Sequence, residues 1–375
     1  MQASCWEDTP GETLPPLVGE HTADVCVVGL GGAGLAALAA ARARGLSAIG
    51  VDAGQPGHGA AGRNGGFLIA GLASFHHHAV ARFGRARATA LYRATSAELE
   101  RIATTHAGLV RRTGSLRIAA DAAEHEDCRA QLEAMRGDGL AAEPYDGEEG
   151  RGLLFPGDAA YDPLALCRAE ARAARAAGAA LFADSPIVSV TPGSVRTVHA
   201  HVACSSVVVA VDGRLELLLP ALGDAVRSAR LQMLATAPLP ERAGGLRFPR
   251  PVYARGGYDY WQQLPDRTLA LGGARDVGGE EEWTTSRATS AAVQDALDAI
   301  LRERLGVTAA VTHRWAATVA FTRNGLPLLA RVADGVVACG AYNGTGNLMS
   351  RLCGRSALAI GLGERDEISN LIGVL

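Results

Sequence analysis

Short apolar runs alternate with Gly-rich turns along the chain, and the first of them predicts a strand–turn–helix–strand unit. Asp24–Val28 is an apolar run typical of a buried strand, and a tight turn follows it. The segment after the turn is rich in Leu and Ala and predicts a helix that ends near Gly45. Ser47–Val51 predicts a second buried strand. This order indicates a βαβ unit with parallel strands.

The same order returns after residue 335. Val336–Cys339 predicts a buried strand, Gly340–Gly346 a tight turn, and Asn347–Leu362 an amphipathic helix. Such a unit places a helix N-terminus, with its partial positive charge, beside the end of a strand. The sequence therefore predicts two helix N-termini that can receive electron-rich groups.

Helical and strand patterns alternate between these two units. Residues 88–135 have helical spacing, and Arg111–Ala120 predicts a turn and a strand within them. Asp162 followed by Pro163 predicts the start of a helix that breaks at Gly178 before a further strand.

The following segment predicts strands. His199–Gly213 predicts a short meander, and alternating patches within residues 227–313 predict antiparallel strands. The acidic segments Asp146–Gly150 and Glu280–Ser286 predict solvated loops. No internal repeat is evident.

Composition limits the class of protein. A chain of 375 residues allows two or three domains, and 48% hydrophobic residues provide large cores and exclude a disordered chain. The net charge of −3 leaves no basic surplus for nucleic acid. All 36 basic residues are Arg, so no Lys is present to act in catalysis.

Cysteine usage and the absence of targeting signals predict the compartment. The seven Cys residues show neither disulfide nor metal-ligand spacing, which indicates a reducing environment. Residues 1–17 lack the basic and apolar segments of a signal peptide, and no apolar run has the length of a transmembrane helix. We expect a cytoplasmic protein that contacts neither membranes nor nucleic acid.

The first turn has the spacing of a dinucleotide-binding fingerprint. Gly29 permits the sharp turn, Gly31 lets the backbone approach a pyrophosphate, and Gly34 allows close packing of helix and strand. The helix N-terminus offers N–H groups to the phosphates. Asp52, at the end of the second strand, can bind both ribose hydroxyls and disfavours a 2′-phosphate. FAD and NAD therefore both remain as candidate cofactors.

A second Gly-rich loop, Gly54–Phe67, stands where a nicotinamide-binding domain would have its third strand. The run from Arg63 to Gly66 can place backbone beside a bulky planar cofactor, and an ordinary flexible surface loop is the alternative. The helix after Gly346 would then direct its N-terminus at a point such as the N1–C2 edge of a reduced flavin.

Four stretches together resemble the D-amino-acid-oxidase (DAO) superfamily of FAD-dependent amine and amino-acid oxidases, in its branch of γ-glutamylputrescine, glycine and sarcosine oxidases. These stretches are residues 4–34, 57–67, 256–276 and 315–347. The resemblance implies an α/β fold with a Rossmann-like FAD-binding domain of the GR2 type, and a substrate domain with a large antiparallel sheet.

The resemblance also implies a discontinuous division of the chain and a set of FAD-binding residues. The FAD-binding domain would take residues 1–87, 150–225 and 313–375, and the substrate domain residues 88–149 and 226–312. The residues expected to bind FAD are Gly29, Gly31, Gly32, Ala33, Gly34, Asp52, Ala53, Gly62, Arg63, Asn64, Gly65, Gly66, Phe67, Val188, Ala210, Gly340, Asn343, Gly344, Thr345, Gly346 and Asn347.

Departures from the family pattern modify these expectations. Arg63 stands where some relatives link FAD to a His, and no Cys matches the C-terminal Cys that links it in others, so we expect non-covalent FAD. Ala270 stands where sarcosine oxidase has a Lys near the flavin. Thr318 stands where glycine oxidase binds the substrate carboxylate with an Arg. The difference at Thr318 favours a larger amine or an N-substituted substrate over an α-amino acid, and the difference at Ala270 leaves open which group assists the reaction with O2.

The candidate residues for substrate binding and catalysis are Arg255, Tyr258, Tyr260, Arg275 and Arg323, of which all but Arg323 lie in the predicted substrate domain. In an alternating strand Tyr258 and Tyr260 share one face and Trp261 takes the other. The two Tyr residues line an amine pocket or pack in a core. Arg275 and Arg323 bind a substrate carboxylate or lie on solvated loops.

Three consecutive His residues, His76–His78, suggest a metal site at first sight. Adjacent residues of a helix or strand do not converge, and no carboxylate or Cys stands at ligand spacing. We therefore predict no metal site, and a His that lines the pocket is the alternative use.

These features predict an FAD-dependent amine or amino-acid oxidase. The reaction would transfer a hydride from the carbon beside nitrogen to flavin N5, and the resulting imine would hydrolyse to a carbonyl product while O2 is reduced to H2O2. The alternatives are a flavin dehydrogenase or desaturase of a biosynthetic intermediate that does not use O2, and a non-catalytic FAD-binding protein.

Overall fold

The computed structural model describes residues 2–243 and 245–375. The helices are α1 (Gly32–Ala43), α2 (His76–Phe83), α3 (Arg85–Thr105), α4 (Ala122–Gly137), α5 (Pro163–Ala176), α6 (Leu215–Leu218), α7 (Arg275–Gly278), α8 (Ala291–Ala299), α9 (Gly346–Gly361) and α10 (Glu367–Ile372). The strands are β1 (Gly19–Val28), β2 (Ala48–Val51), β3 (Phe67–Leu68), β4 (Val110–Arg111), β5 (Ser115–Ile118), β6 (Glu143–Gly147), β7 (Gly150–Phe155), β8 (Ala159–Tyr161), β9 (Ala180–Phe182), β10 (Ile187–Thr191), β11 (Ser194–Thr197), β12 (Ala200–Val209), β13 (Val226–Thr236), β14 (Val252–Ala254), β15 (Asp259–Gln263), β16 (Leu269–Gly273), β17 (Val311–Thr322), β18 (Leu328–Ala333) and β19 (Val336–Gly340).

The chain forms two compact units, each assembled from three segments. The first unit comprises Met1–Asp8, Asn64–Asp162 and Arg230–Ala317. The second unit comprises Thr9–Arg63, Pro163–Ala229 and Thr318–Leu375. The boundary between the two units at Arg63/Asn64 lies inside the second Gly-rich loop. The functional division expected at 87/88, 149/150, 225/226 and 312/313 stays a prediction.

The second unit is built on a mostly parallel sheet. Strand β1 lies between β12 and β2 and runs parallel to both, and β9 and β19 extend the parallel set on either side. β10, β11 and β18 add antiparallel pairs. The predicted βαβ unit is confirmed, and α5 begins at Pro163 as predicted.

The first unit is built on an eight-stranded sheet in the order β17-β13-β16-β15-β14-β5-β7-β6. Apolar side chains on one face pack with α8, through residues that include Leu116, Trp261, Leu271 and Leu297. A second cluster brings together Phe67, Phe75, Phe155 and Tyr253, with Tyr260 packed against it. The first cluster is mainly aliphatic, and the second, called the aromatic layer below, has aromatic side chains at four of its eight buried members.

Two sequence predictions about the fold are wrong. His199–Gly213 does not form a meander, because β12 is one continuous strand that pairs with β1 as far as Val209. Glu280–Ser286 is not wholly solvated, because the Glu282 side chain is fully buried and pairs with the Arg230 guanidinium at 2.6 Å. One acid of this run therefore belongs to a buried ion pair. The pattern of charges along the sequence does not show which acidic residues of a run are buried.

Candidate functional site

Close backbone contacts surround the N-terminus of α1 in the second unit. Gly29 has a φ of 103°, and a Cβ there would lie 2.7 Å from the Ala210 carbonyl oxygen at the end of β12. A Cβ on Gly34 would lie 1.8 Å from the Gly29 carbonyl oxygen. Both glycines are therefore required by the path of the backbone, as the fingerprint predicts.

The glycines at the tip of the same turn form a cradle without side chains. A Cβ on Gly31 would lie 3.1 Å from the Ala61 Cβ, and one on Gly32 would lie 2.6 Å from Ser350 Oγ in α9. Gly31 is the N-cap of α1, so no side chain caps the first N–H groups, and the first turn has no acidic residue. A helix N-terminus of this kind attracts a phosphate group.

Asp52 is held in a fixed orientation where β2 ends. Its Oδ2 accepts a hydrogen bond from Leu30 N at 2.6 Å, and its Oδ1 accepts one from Gly54 N at 2.9 Å. The carboxylate therefore lies beside the glycine turn, as the spacing predicts.

The C-terminal glycine turn lies between β19 and α9. Ala341 and Asn343 have φ values of 51° and 54°, and Gly344 has 88°, so the chain turns through left-handed conformations. Asn343 Oδ1 accepts a hydrogen bond from Thr322 N at 2.9 Å. The Asn343 side chain is thereby used to hold the turn.

Asp212 also supports this turn, and sequence reasoning missed it. Its carboxylate accepts hydrogen bonds from Tyr342 N and Ala320 N, both at 3.3 Å. Burial raises the pKa of Asp212 to about 7, although these N–H groups act in the opposite direction. The available signal was a lone acid directly after the apolar run that forms β12.

In the first unit, three groups hold the part of the second Gly-rich loop that begins at Asn64. Trp6 Nε1 donates to the Asn64 carbonyl at 3.0 Å, and Tyr161 N donates to the Gly66 carbonyl at 3.0 Å. Asn64 Oδ1 accepts a hydrogen bond from Gly66 N at 2.8 Å, which closes a tight turn. The loop is thus ordered by specific contacts, in contrast to a flexible surface loop.

Gln262 is the strongest contact of this loop, and it was not predicted. Its Nε2 donates to the Gly65 carbonyl at 2.6 Å and to the Gly66 carbonyl at 3.1 Å. Its Oε1 accepts a hydrogen bond from Arg111 at 3.0 Å. Gln262 lies two residues after Tyr260 in β15, so alternation along the strand could have indicated that the two share a face.

Tyr260 lies against the glycines of the loop and the sheet. A Cβ on Gly65 would be 3.1 Å from Tyr260 Cδ2, and one on Gly272 would be 2.4 Å from Tyr260 Cε2. The ring meets Phe67 edge to face, with centroids 6.2 Å apart. Burial raises the pKa of Tyr260 far above its ordinary value, so the phenol stays protonated at neutral pH.

The prediction that Tyr258 shares a face with Tyr260 is wrong. Tyr258 precedes β15, lies in a turn and is exposed, because Arg255 and Gly256 before it adopt positive φ and end the extended pattern. Trp261 is buried on the opposite face, as predicted.

Among the predicted arginines, Arg255 and Arg275 lie in the first unit and Arg323 lies in the second, each in different surroundings. Arg255 pairs with Asp259 at 2.7 Å and with Asp276 at 2.9 Å, so its charge is already neutralised. Arg275 lies over the rings of Tyr258 and Trp283. Arg323 is exposed in the turn that follows β17.

The argument that adjacent His residues do not converge is wrong for His77 and His78, whereas the prediction of no metal site stays a prediction. His77 and His78 lie side by side at the start of α2, with ring centroids 4.0 Å apart, and both approach Asp127 of α4. The carboxylate comes from a distant segment, so local ligand spacing could not reveal it.

Comparison with known proteins identifies the family of this chain. Residues 24–359 match the family DAO, described as FAD dependent oxidoreductase. The chain belongs to the DAO family of FAD-dependent oxidoreductases. FAD is therefore its cofactor, and the choice between FAD and NAD is settled.

Relatives and solved structures agree with this family. The chain is 25% identical to the probable oxidoreductase OrdL of Rhizobium meliloti, over 96% of this chain and 87% of that protein. It is 25% identical to γ-glutamylputrescine oxidoreductase of Escherichia coli, over 98% of this chain and 90% of that protein. The structure resembles that of glycine oxidase from Geobacillus kaustophilus with a TM-score of 0.73 and 20% identity, over 92% of this chain and 96% of that one.

The residues of this DAO-family chain fit FAD. The cradle of Gly29, Gly31 and Gly32 leaves room that any Cβ would fill, and the uncapped start of α1 supplies donors for a pyrophosphate. The remaining expected contacts are distributed between the two units. Those in the first unit are Asn64, Gly65, Gly66 and Phe67; those in the second are Ala33, Ala53, Gly62, Arg63, Val188, Ala210, Gly340, Asn343, Gly344, Thr345, Gly346 and Asn347. Their contact with FAD stays a prediction.

We expect Gln262→Leu to weaken FAD binding. The substitution removes the donor to the Gly65 carbonyl and one of two donors to the Gly66 carbonyl, which keeps its bond from Tyr161 N, and leaving a buried polar group unpaired costs about 1–3 kcal/mol. FAD affinity should therefore fall about 10-fold or more, measured by fluorescence titration of the apoprotein.

Gln263→Leu is the matched control for this variant. Gln263 is equally buried in the same strand, but its side chain contacts Phe248 N and the Arg267 carbonyl instead of the loop. It should lose stability while keeping wild-type FAD affinity. Equal losses of affinity in both variants would contradict a role of Gln262 in positioning the loop.

Proposed function

We propose that the protein oxidises a C–N bond of an amine or N-substituted amino acid. Bound FAD would supply the hydride acceptor for the carbon beside nitrogen, and hydrolysis of the resulting imine would give a carbonyl compound and a smaller amine or ammonia. The chain's own residues would bind the substrate, orient it and keep its nitrogen unprotonated.

The position of Tyr260 carries this proposal. Its ring lies against Gly65 of the loop that, by family resemblance, borders the flavin, and Phe67 meets it edge to face. The rings of Tyr260 and Phe67 form an aromatic surface, and neither side chain carries a charge at neutral pH. An uncharged aromatic surface favours the neutral form of an amine over its ammonium ion, and the neutral amine is the form that can be oxidised.

The substrate class follows from two positions. Thr318 is buried, and its hydroxyl lies 3.5 Å from the Gly213 carbonyl, so no cation stands where glycine oxidase places a carboxylate-binding Arg. Arg255 is occupied by two carboxylates. Both observations favour a larger amine, and the relative named γ-glutamylputrescine oxidoreductase supports this choice.

For the electron acceptor we propose O2, which would be reduced to H2O2. A dehydrogenase that passes electrons to another acceptor is a second candidate, and the composition favours it. Ala270 is fully buried where sarcosine oxidase has a Lys, and the chain contains no Lys at all. If the protein is an oxidase, the cation that assists O2 reduction must be an Arg or a His.

We also propose that the protein acts in the cytoplasm. No helix in residues 2–243 and 245–375 has the length and apolar character needed to cross a bilayer. All seven Cys residues are free thiols, which suits a reducing compartment.

An anaerobic absorbance titration of the FAD-loaded protein tests the proposal. The panel contains glycine, sarcosine, proline, several D-amino acids, γ-glutamylputrescine and simple polyamines. We expect a secondary amine or polyamine derivative to bleach the flavin band and α-amino acids to leave it unchanged. Colour that returns in air with H2O2 supports the oxidase, and colour that returns only with an artificial acceptor supports the dehydrogenase. Bleaching by no amine would contradict the proposed reaction.

A further inference from the structure

We propose that His77, His78 and Asp127 form a binding site for a divalent transition-metal ion of the zinc class. The three residues lie in the first unit, on α2 and α4, and take no part in the function proposed above. Their ligand atoms all lie within 4.8 Å of one another.

The distances suit a shared ion better than a direct hydrogen bond. His77 Nε2 and His78 Nε2 lie 3.4 Å and 3.6 Å from the same oxygen, Asp127 Oδ1. Tetrahedral zinc has ligand bonds of about 2.0–2.2 Å, which separate its N and O ligands by roughly 3.4 Å. The same helix shows the contrast, because His76 Nε2 lies only 2.7 Å from Asp138 Oδ2 in an ordinary hydrogen bond.

The chemistry of the donor atoms also suits a metal ion. His77 and His78 each offer one ring nitrogen, and Asp127 offers a carboxylate oxygen. Two imidazoles and one carboxylate form a donor set of the kind that binds zinc, with water in the remaining position.

The half-exposed His78 leaves the ion an entry path from solvent, since 52% of its side chain is accessible. A bound ion would tie α2 to α4. Phe75 precedes α2 and lies 4.0 Å below the guanidinium of the buried Arg117, which also lies over Tyr253 of the sheet. The ion would therefore stabilise the end of the aromatic layer nearest these helices.

The test is a titration of the FAD-loaded, tag-free protein with Zn²⁺ by calorimetry, and with Co²⁺ by absorbance. We expect saturable binding of one ion per chain, a higher melting temperature with Zn²⁺, and a Co²⁺ spectrum without the intense thiolate charge-transfer band. That spectrum separates this site from the seven free Cys residues.

Variants locate the ion. His78→Asn and Asp127→Asn alter partly or largely exposed side chains, so they should fold and bind Zn²⁺ about 10-fold or more weakly. The control His201→Asn removes a His that pairs with Glu20 in the second unit, and it should bind Zn²⁺ like the wild type. Absence of saturable binding to the wild type, or unchanged binding in both site variants, would overturn the proposal. Flavin bleaching by amines is unaffected by either result.

Discussion

Gly34→Ala should abolish tight FAD binding. A Cβ at this position would lie 1.8 Å from the Gly29 carbonyl oxygen and 2.9 Å from the Gly29 carbonyl carbon. Both are backbone atoms, so no side chain can move aside, and α1 must shift away from β1. Overpacking of this kind costs about 1–3 kcal/mol or more.

The helix has no free space in which to shift. On its other side α9 approaches so closely that a Cβ on Gly354 would lie 2.0 Å from the Ala33 carbonyl oxygen. Helix α1 is thus held between β1 and α9, and the close contacts on its two sides are possible because Gly34 and Gly354 have no side chain. Because the N-terminus of α1 would receive the pyrophosphate, its displacement should weaken FAD binding about 100-fold or more, equivalent to about 2.7 kcal/mol.

Two further glycine variants make the result interpretable. Gly32→Ala meets only side-chain atoms, Ser350 Oγ and the end of Arg351, so it should have a smaller effect. Gly108→Ala has nothing within 4 Å and should behave as the wild type. The measurements are the flavin content of purified protein, the dissociation constant for FAD and the far-ultraviolet circular dichroism. Wild-type FAD affinity in folded Gly34→Ala would contradict the packing argument.

The glycine fingerprint could be predicted from sequence because its causes are local. The turn after β1, the start of α1 and the acid at the end of β2 all lie within Asp24–Asp52, and their spacing follows from backbone geometry. The close crossing of α1 and α9 could not be predicted in this way. Ala33 and Gly354 are far apart in sequence, and a single Gly in a helix gives no indication of its neighbour.

The substrate side shows the same limit. Alternation correctly placed Trp261 on the face opposite to Tyr260, but it failed at Tyr258, because the positive φ of Arg255 and Gly256 ends the extended pattern before β15 begins. Gln262 escaped notice since a Gln in a strand carries no special signal until the Gly65 carbonyl lies beside it. Local patterns therefore predict elements, whereas side-chain roles depend on contacts between distant segments.

The pH dependence of stability should be controlled in part by Asp158. This side chain is buried in the first unit, where Oδ2 accepts a hydrogen bond from Ser115 Oγ at 2.6 Å and Oδ1 accepts one from Ala70 N at 3.1 Å. Burial raises the pKa of Asp158 to about 7, and these bonds and the charge of Arg117 offset the effect only in part.

The direction follows from proton binding. Below about pH 4 the carboxyl is protonated in both the folded and the unfolded chain, so its contribution to stability is fully present. Between about pH 4 and pH 7 the unfolded chain releases this proton and the folded chain keeps it, so the free energy of unfolding falls as pH rises. A difference of about 3 pH units corresponds to a loss of about 4 kcal/mol by pH 8.

Asp158→Asn should remove this loss. The amide cannot ionise, its Oδ1 can still accept from Ala70 N, and its Nδ2 can donate to Ser115 Oγ. We expect the variant to match the wild type near pH 4 and to be more stable by about 2–4 kcal/mol at pH 8. The pKa of Asp212 is also raised. Because Asp212 is present in both proteins, its contribution to the free energy of unfolding cancels when the two are compared.

Urea unfolding of the FAD-loaded protein from pH 4 to pH 8 measures this difference. Asp146→Asn is the control, because 72% of its side chain is exposed and its salt bridge with Arg151 lies on the surface. Surface pairs contribute at most about 1 kcal/mol, so this variant should follow the wild-type profile. If Asp158→Asn and the wild type gave parallel profiles, the Asp158 carboxyl would titrate alike in the folded and unfolded chains. Its burial would then impose no net penalty on the charge, because the bonds from Ser115 and Ala70 and the nearby Arg117 would compensate it fully.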